Sequence, residues 1–182
     1  MGLRDEIFEQ PAVLQRWLDT QLPAVQEITA AIRQREVDYV FLAARGTSDH
    51  AGVYAQYVWG SRNRLPVALA APSLFTMYAE APRLAKALVV GISQSGQSPD
   101  VVAVIAAGRR QGAVTLAVTN DIGSPLAQAA EFTVDIQAGQ EQAVAATKTY
   151  SAELLALAAL SAALAGSPAA DLAALAALPG AV

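Results

Sequence analysis

No cysteine occurs in the 182 residues, and His50 is the single histidine. The first absence excludes disulfides, thiol nucleophiles and thiolate metal sites, and it fits a cytoplasmic protein. The second leaves too few ligands for a zinc site. Charge is sparse as well. Charged residues make up 15% of the chain against 54% hydrophobic, with a formal net charge of −4. That balance argues against disorder, and against a nucleic-acid surface, which needs clustered Lys and Arg. Met1 to Gln10 lacks the apolar core of a secretory signal. No apolar run reaches the ~18 residues of a membrane helix. The longest, Leu154 to Ala165, is interrupted by Ser161 and stops at Gly166-Ser167-Pro168. The expectation is a soluble, cytoplasmic α/β domain with no cofactor, no metal and no membrane or nucleic-acid partner.

The stretch Ala87 to Gly112 organises what is there. A continuous apolar run, Ala87 to Ile92, has no alternation and so suits a strand buried on both faces. It breaks at Ser93 into a hydroxyl-rich loop and resumes at Pro99 in a helical pattern. Ser98 stands at the N-cap position, Pro99 at the first helical position, and Asp100 where the helix dipole favours negative charge. Strand, polar loop and helix N-terminus in this order form an anion-binding geometry.

Similar units flank it. A short helix over Met1 to Gln10 is expected to end at Pro11, and an amphipathic helix follows over Ala12 to Gln34, broken or kinked at Pro23. Strands are expected over Val37 to Ala44, Pro66 to Ala70, Ala113 to Val118 and Phe132 to Ile136, with helices from His50 to Ser61 and from Pro125. Pro72 to Tyr78 reads as a brief helix or loop. A long helix is expected over Ala143 to Ala165, and another opened by Ser167 and Pro168, with Leu172, Leu175 and Leu178 at helical spacing. Strands alternating with helices predict a doubly wound, five-stranded parallel sheet, with ligands beyond the strands' carboxyl ends at the switch point.

Three loops there carry polar chemistry: Gly46-Thr47-Ser48, Ser93 to Ser98, and Glu141 to Lys148. Adjacent first and third strands would bring the first two loops together, so that hydroxyls and backbone N–H groups hydrogen-bond a phosphate. Ser98 alone reads as a cap; Ser93, Ser95 and Gly96 together read as a binding loop. Lys148 has two readings, a solvated charge early in a helix or an anchor for a ligand or the loop. Nucleotide motifs are missing: there is no G-x-x-x-x-G-K-[ST] and no G-x-G-x-x-G. Gly91-Ile92-Ser93-Gln94-Ser95 stops one residue short of the hydrolase elbow, and His50 precedes the serine.

Four segments in order resemble the sugar isomerase (SIS) domain, in particular the isomerase part of glucosamine-6-phosphate synthase. They are E-I-F-E-Q-P (Glu6 to Pro11), G-T-S-D-H-A-G (Gly46 to Gly52), S-Q-S-G-Q-S-P-D (Ser93 to Asp100) and E-Q-A-V-A-A-T-K-T-Y (Glu141 to Tyr150). The resemblance implies a flavodoxin-like SIS fold and a hexose 6-phosphate ligand. It places the phosphate on Ser93, Gln94, Ser95, Gly96 and Ser98, and the sugar on Thr47, Ser48 and the backbone near Val144. Gln97-Ser98 stands where the synthase form has Glu-Thr, and the Gln97-Ser98-Pro99-Asp100 form is closer to relatives without a glutaminase domain; Ala146 stands where the synthase has Ser and loses a hydroxyl. The implied activity is aldose–ketose isomerisation coupled to amination or deamination, in amino sugar metabolism, by a homodimer. The alternative is a non-catalytic sugar-phosphate sensing or assembly module. The family's catalytic residues come from a second SIS domain, so none is assigned here; Glu141 matches the family motif and is read as only fixing its loop. The expected organisation is a helical arm over 1–35, an SIS domain over 36–166, and over 167–182 the start of a linker helix toward an absent second SIS domain.

Overall fold

The computed structural model describes residues 2–78, 80–166 and 168–182. Five strands, β1 (Tyr39–Ala43), β2 (Val67–Leu69), β3 (Ala87–Ile92), β4 (Val114–Thr119) and β5 (Phe132–Asp135), form one all-parallel sheet in the order β2-β1-β3-β4-β5. β3 and β4 are the central strands, and every residue of both is buried. This is why they read as unbroken apolar runs without alternation. The register pairs Tyr39 with Ala87 and Ala43 with Gly91, so β1 and β3 end side by side. The strand order reverses between these two, which opens the switch-point crevice above their carboxyl ends.

Helices cover both faces. On one side lie α1 (Leu3–Arg33), α2 (Thr47–Asn63), α6 (Lys148–Leu164) and α7 (Pro168–Ala176); their apolar faces share a core with Val40, Leu42, Leu88, Val90 and Leu116 of the sheet. On the other lie the short α3 (Ser73–Thr76), α4 (Pro99–Arg110) and the short α5 (Pro125–Ala129), over Val89 and Ala117. Two indoles pin the first layer. Trp17 donates to the Asp135 carbonyl at 2.9 Å, and Trp59 to the Leu157 carbonyl at 2.9 Å. Trp59 is wholly buried. A Trp59→Ala chain is therefore expected to lose about 3–5 kcal/mol in a urea melt, chiefly from the cavity left behind.

The structure corrects three helix boundaries. Pro11 and Pro23 neither end nor break a helix; both sit inside the single α1. Pro11 leaves the Ile7 carbonyl without its helical donor, and the Gln10 side chain supplies one at 3.0 Å. Burial of Val13, Leu14, Trp17, Leu18, Val25 and Ile32 along α1 offsets the two prolines. Helix α2 starts at Thr47, because Gly46 (φ +59°, ψ −130°) turns the chain directly into it. Helix α6 starts at Lys148, five residues later than Ala143. The Thr147 N–H, which a helix from Ala143 would spend on the Ala143 carbonyl, goes to Glu141, and Glu6 holds the N–H groups of Gln142 and Ala143, so this segment stays a loop. Ser167 lies outside the described residues. Beyond it Leu175 joins the core and Leu172 packs against it, while Leu178 is exposed. No helix among the described residues is long and apolar enough to cross a membrane.

Candidate functional site

A cavity of about 250 Å³ sits above the carboxyl ends of β1 and β3. Seven of the sequence-predicted residues line it: Thr47 and Ser48 from the start of α2, Ser93, Gln94, Ser95 and Ser98 from the β3–α4 loop, and Val144 from the β5–α6 loop. Gly96 does not line it; it makes the turn that shapes the β3–α4 loop. Its φ of +62° is left-handed, and a side chain there would run into Ser124. Its carbonyl accepts from Leu126 N–H at 3.1 Å, and its N–H donates to Ser93 Oγ at 3.2 Å. Ser98 stands at the N-cap position of α4 yet makes no capping bond; its Oγ lies 3.4 Å from Ser93 Oγ. Both hydroxyls thus stay at the cavity, while Ser124 does cap its own helix, accepting from Ala127 N–H. His50 is exposed in the first turn of α2.

The third loop is held from two directions. Glu141 accepts from the Thr147 N–H at 2.7 Å, the Thr147 hydroxyl at 2.8 Å and the Thr149 hydroxyl. Burial alone would raise the Glu141 carboxyl, but those donors outweigh it and hold it below the ordinary range. From below, the N-terminal part of α1 clasps the loop. Glu6, fully buried, accepts from the N–H groups of Gln142 and Ala143 at 2.6 and 3.1 Å. Glu9 pairs with Lys148 at 2.6 Å, and Gln10 accepts from the Ser151 hydroxyl. Lys148 is therefore a buried loop anchor, not a solvated charge. Glu6 to Pro11 and Glu141 to Tyr150, far apart in sequence, form one contact.

Sequence reasoning missed Arg45, Thr149 and Glu153 in the lining. Arg45 is the one cation there among the described residues, tied to Asp100 at 2.5 Å. Glu153 on α6 is almost fully buried and accepts from Ser48 Oγ at 2.8 Å. Burial pushes its carboxyl up to about 7, against the opposing Ser48 bond and with help from the Glu141 charge. A signal was available: Glu153 is the only charged residue between Lys148 and Asp171. The raised value has a stability consequence. Between about pH 4.5 and pH 7 the folded chain holds a proton at Glu153 that the unfolded chain releases, so stability falls as pH rises through that window. Relative to Glu153→Gln, wild type is expected to lose about 3 kcal/mol across it, read from urea melts at the two ends.

The family model described as "SIS domain" matches residues 35–163. The chain belongs to the SIS domain family. This SIS domain is 36% identical over 158 residues to the glutamine–fructose-6-phosphate aminotransferase (isomerizing) of Clostridium perfringens, covering 84% of the chain and 26% of that relative. A candidate phosphosugar isomerase from Silicibacter pomeroyi superposes with a TM-score of 0.93 at 42% identity, over 97% of the chain and 54% of the solved one. The Vibrio vulnificus NanR protein, solved with ManNAc-6P, shares the fold alone: TM-score 0.63 and 16% identity, over 93% of this chain and 67% of that one. The chain thus spans about a quarter of the aminotransferase's length. Among the described residues no cluster of His, Asp and Glu is placed to hold a metal ion.

Proposed function

We propose that this SIS domain is the sugar-phosphate-binding half of an aldose–ketose isomerase that aminates or deaminates a hexose 6-phosphate. One observation carries the reading: hydroxyls from two separate loops, Thr47 and Ser48 with Ser93, Ser95 and Ser98, converge on one small cavity at the N-terminus of α4. At about 250 Å³ the cavity lies just below the range of drug-sized ligand pockets, roughly 300 Å³ upward, and suits a compact monophosphate. Neutral hydroxyls and helix N–H groups hold a phosphate without a metal, and Arg45 adds a single positive charge at the rim. Thr47, Ser48 and the Val144 backbone are left for the sugar. The names of the aminotransferase and of the phosphosugar isomerase candidate support the substrate class, and the ManNAc-6P held by NanR supports a 6-phosphate ligand.

The binding-only module keeps one observation in its favour: no lysine or histidine lines the cavity among the described residues. We expect a cytoplasmic setting and a homodimer; the exposed Leu3, Ile7 and Phe8, on the α1 end that clasps the loop of exposed Val144, support the dimer. The test is calorimetric titration with fructose 6-phosphate and glucosamine 6-phosphate, paired with isomerase and deaminase assays. Binding that weakens at least about tenfold in Ser93→Ala/Ser95→Ala supports the cradle, since each lost bond to a charged phosphate is worth about 1.5–3 kcal/mol. Binding unchanged in that variant sinks the assignment. Robust turnover by the chain alone would move the catalytic groups into this half.

A further inference from the structure

The cavity confronts an incoming phosphate with two acidic side chains and one arginine: Glu141, Glu153 and Arg45. Glu141 is already saturated by Thr147 and Thr149, and Arg45 is bound to Asp100. Glu153 is different. It is 1% exposed, it holds one hydrogen bond, from Ser48 to Oε1, and it lines the cavity from the long helix beneath. A dianion placed in so small a space brings negative charge close to a carboxyl in a poorly solvated wall, where like charges repel most strongly. Protonation removes the repulsion and turns the carboxyl from an acceptor into a donor toward the sugar or phosphate.

The surrounding charges do not offer another way out. The β1–α2 loop gives Arg45, and the β5–α6 loop gives Glu141. Helix α1 gives Glu6, held by backbone N–H groups, and Glu9, which neutralises Lys148 of α6 itself. Helix α2 presents the uncharged Ser48 at this level, with Asp49 and His50 exposed, Tyr54 further along and Arg62 paired to Asp171 of α7. The β3–α4 loop offers only Ser93, Gln94, Ser95 and Ser98. β4, also packed on α6, ends in the buried, uncharged Thr119.

We propose that ligand binding in this cavity is proton-linked through Glu153: the site takes up a proton at that carboxyl when a sugar-phosphate dianion enters. The proposal rests on the phosphosugar reading above and goes beyond it. Glu153 then acts as a specificity gate, admitting a dianion readily only in its neutral form and holding it more loosely as the solution becomes alkaline. The phosphate itself, with a second pKa of about 6, is already dianionic above about pH 7 and contributes little to the dependence there.

The experiment is calorimetric titration with fructose 6-phosphate at several pH values, repeated in two buffers of different ionisation enthalpy. Affinity is expected to fall about tenfold from about pH 7 to about pH 8.5, with net uptake of up to about one proton per site. Glu153→Gln is expected to bind with neither the slope nor the uptake. Ser48→Ala, which removes the donor that favours the ionised carboxyl, is expected to move the midpoint upward, and it reports on the linkage even where Glu153→Gln folds poorly. Wild-type binding with no slope and no proton uptake, or the same slope in a folded Glu153→Gln chain, overturns the proposal while leaving the sugar-phosphate site intact. Failure of wild type to bind at any pH overturns the site reading itself.

Discussion

A Gly96→Ala chain is expected to lose about 2–5 kcal/mol of stability and most of its affinity for a sugar phosphate. Gly96 holds φ +62° between Ser95 and Gln97, where a residue with a Cβ is strained by about 1–2 kcal/mol. There is also no room: the new carbon would overlap Ser124 Oγ and Cβ and approach Thr119 Oγ1 to 3.0 Å. Neither neighbour can yield cheaply, since Ser124 is buried and caps α5, and Thr119 ends the central strand β4. The strain is relieved by pushing the β3–α4 loop outward, and that moves Ser93, Ser95 and Ser98 together. A double Gly96→Ala/Ser124→Gly chain removes most of the overlap and keeps only the torsional cost and a lost cap, so it is expected to recover part of the stability. Urea melts of the three chains check the ordering. Equal stability of Gly96→Ala and wild type would show that the loop is soft and that its hydroxyls are not held where the cavity requires.

The second large effect lies outside the cavity. Glu9→Ala leaves the Lys148 ammonium, 2% exposed as a residue, without its carboxylate partner. Removing one member of a buried pair costs about 3–5 kcal/mol. Glu9 is itself 31% exposed, so water relieves part of the loss and the expected cost is near the lower figure. The ligand loop is expected to loosen with it, because Lys148 is the first residue of α6 and adjoins Thr147, the chief partner of Glu141. Replacing both members, Glu9→Ala/Lys148→Met, removes the orphaned charge while keeping the apolar stem, and it is expected to restore most of the stability. A cost below about 1 kcal/mol for the single change would class the pair with ordinary surface ion pairs.

These effects explain which parts of the molecule were legible in the chain. The central strands were, because burial on both faces leaves only apolar residues; so was the switch point, because polar residues appear abruptly at Arg45 and Ser93 where the strands end. Gly46 and Gly96 stood within the polar loops, but their turn-making role shows only in their positive φ. The start of α6 was not legible. Ala143 to Thr147 has helical composition, but the Thr147 N–H that a helix from Ala143 would use is taken by Glu141, while Glu6, more than a hundred residues away in sequence, pins Gln142 and Ala143. The continuity of α1 through Pro11 and Pro23 was hidden for a similar reason, since tertiary burial against α6 overrides local propensity. Glu153 was visible as an isolated charge in an apolar helix, but only the packed structure shows that it faces the cavity and not solvent.

In the function proposed, the β1/β3 crevice holds the phosphate of a sugar phosphate. An amide-resolved NMR titration of the full chain with fructose 6-phosphate tests it most directly. Shifts are expected to concentrate at the N–H groups of residues 93–98 and at the start of α4, with a second group at 47–48 and 141–147, and none with unphosphorylated fructose at the same concentration. Shifts confined to the groove between α2 and α7, around Tyr54, Tyr57 and Leu175, or an equal response to fructose, would contradict it.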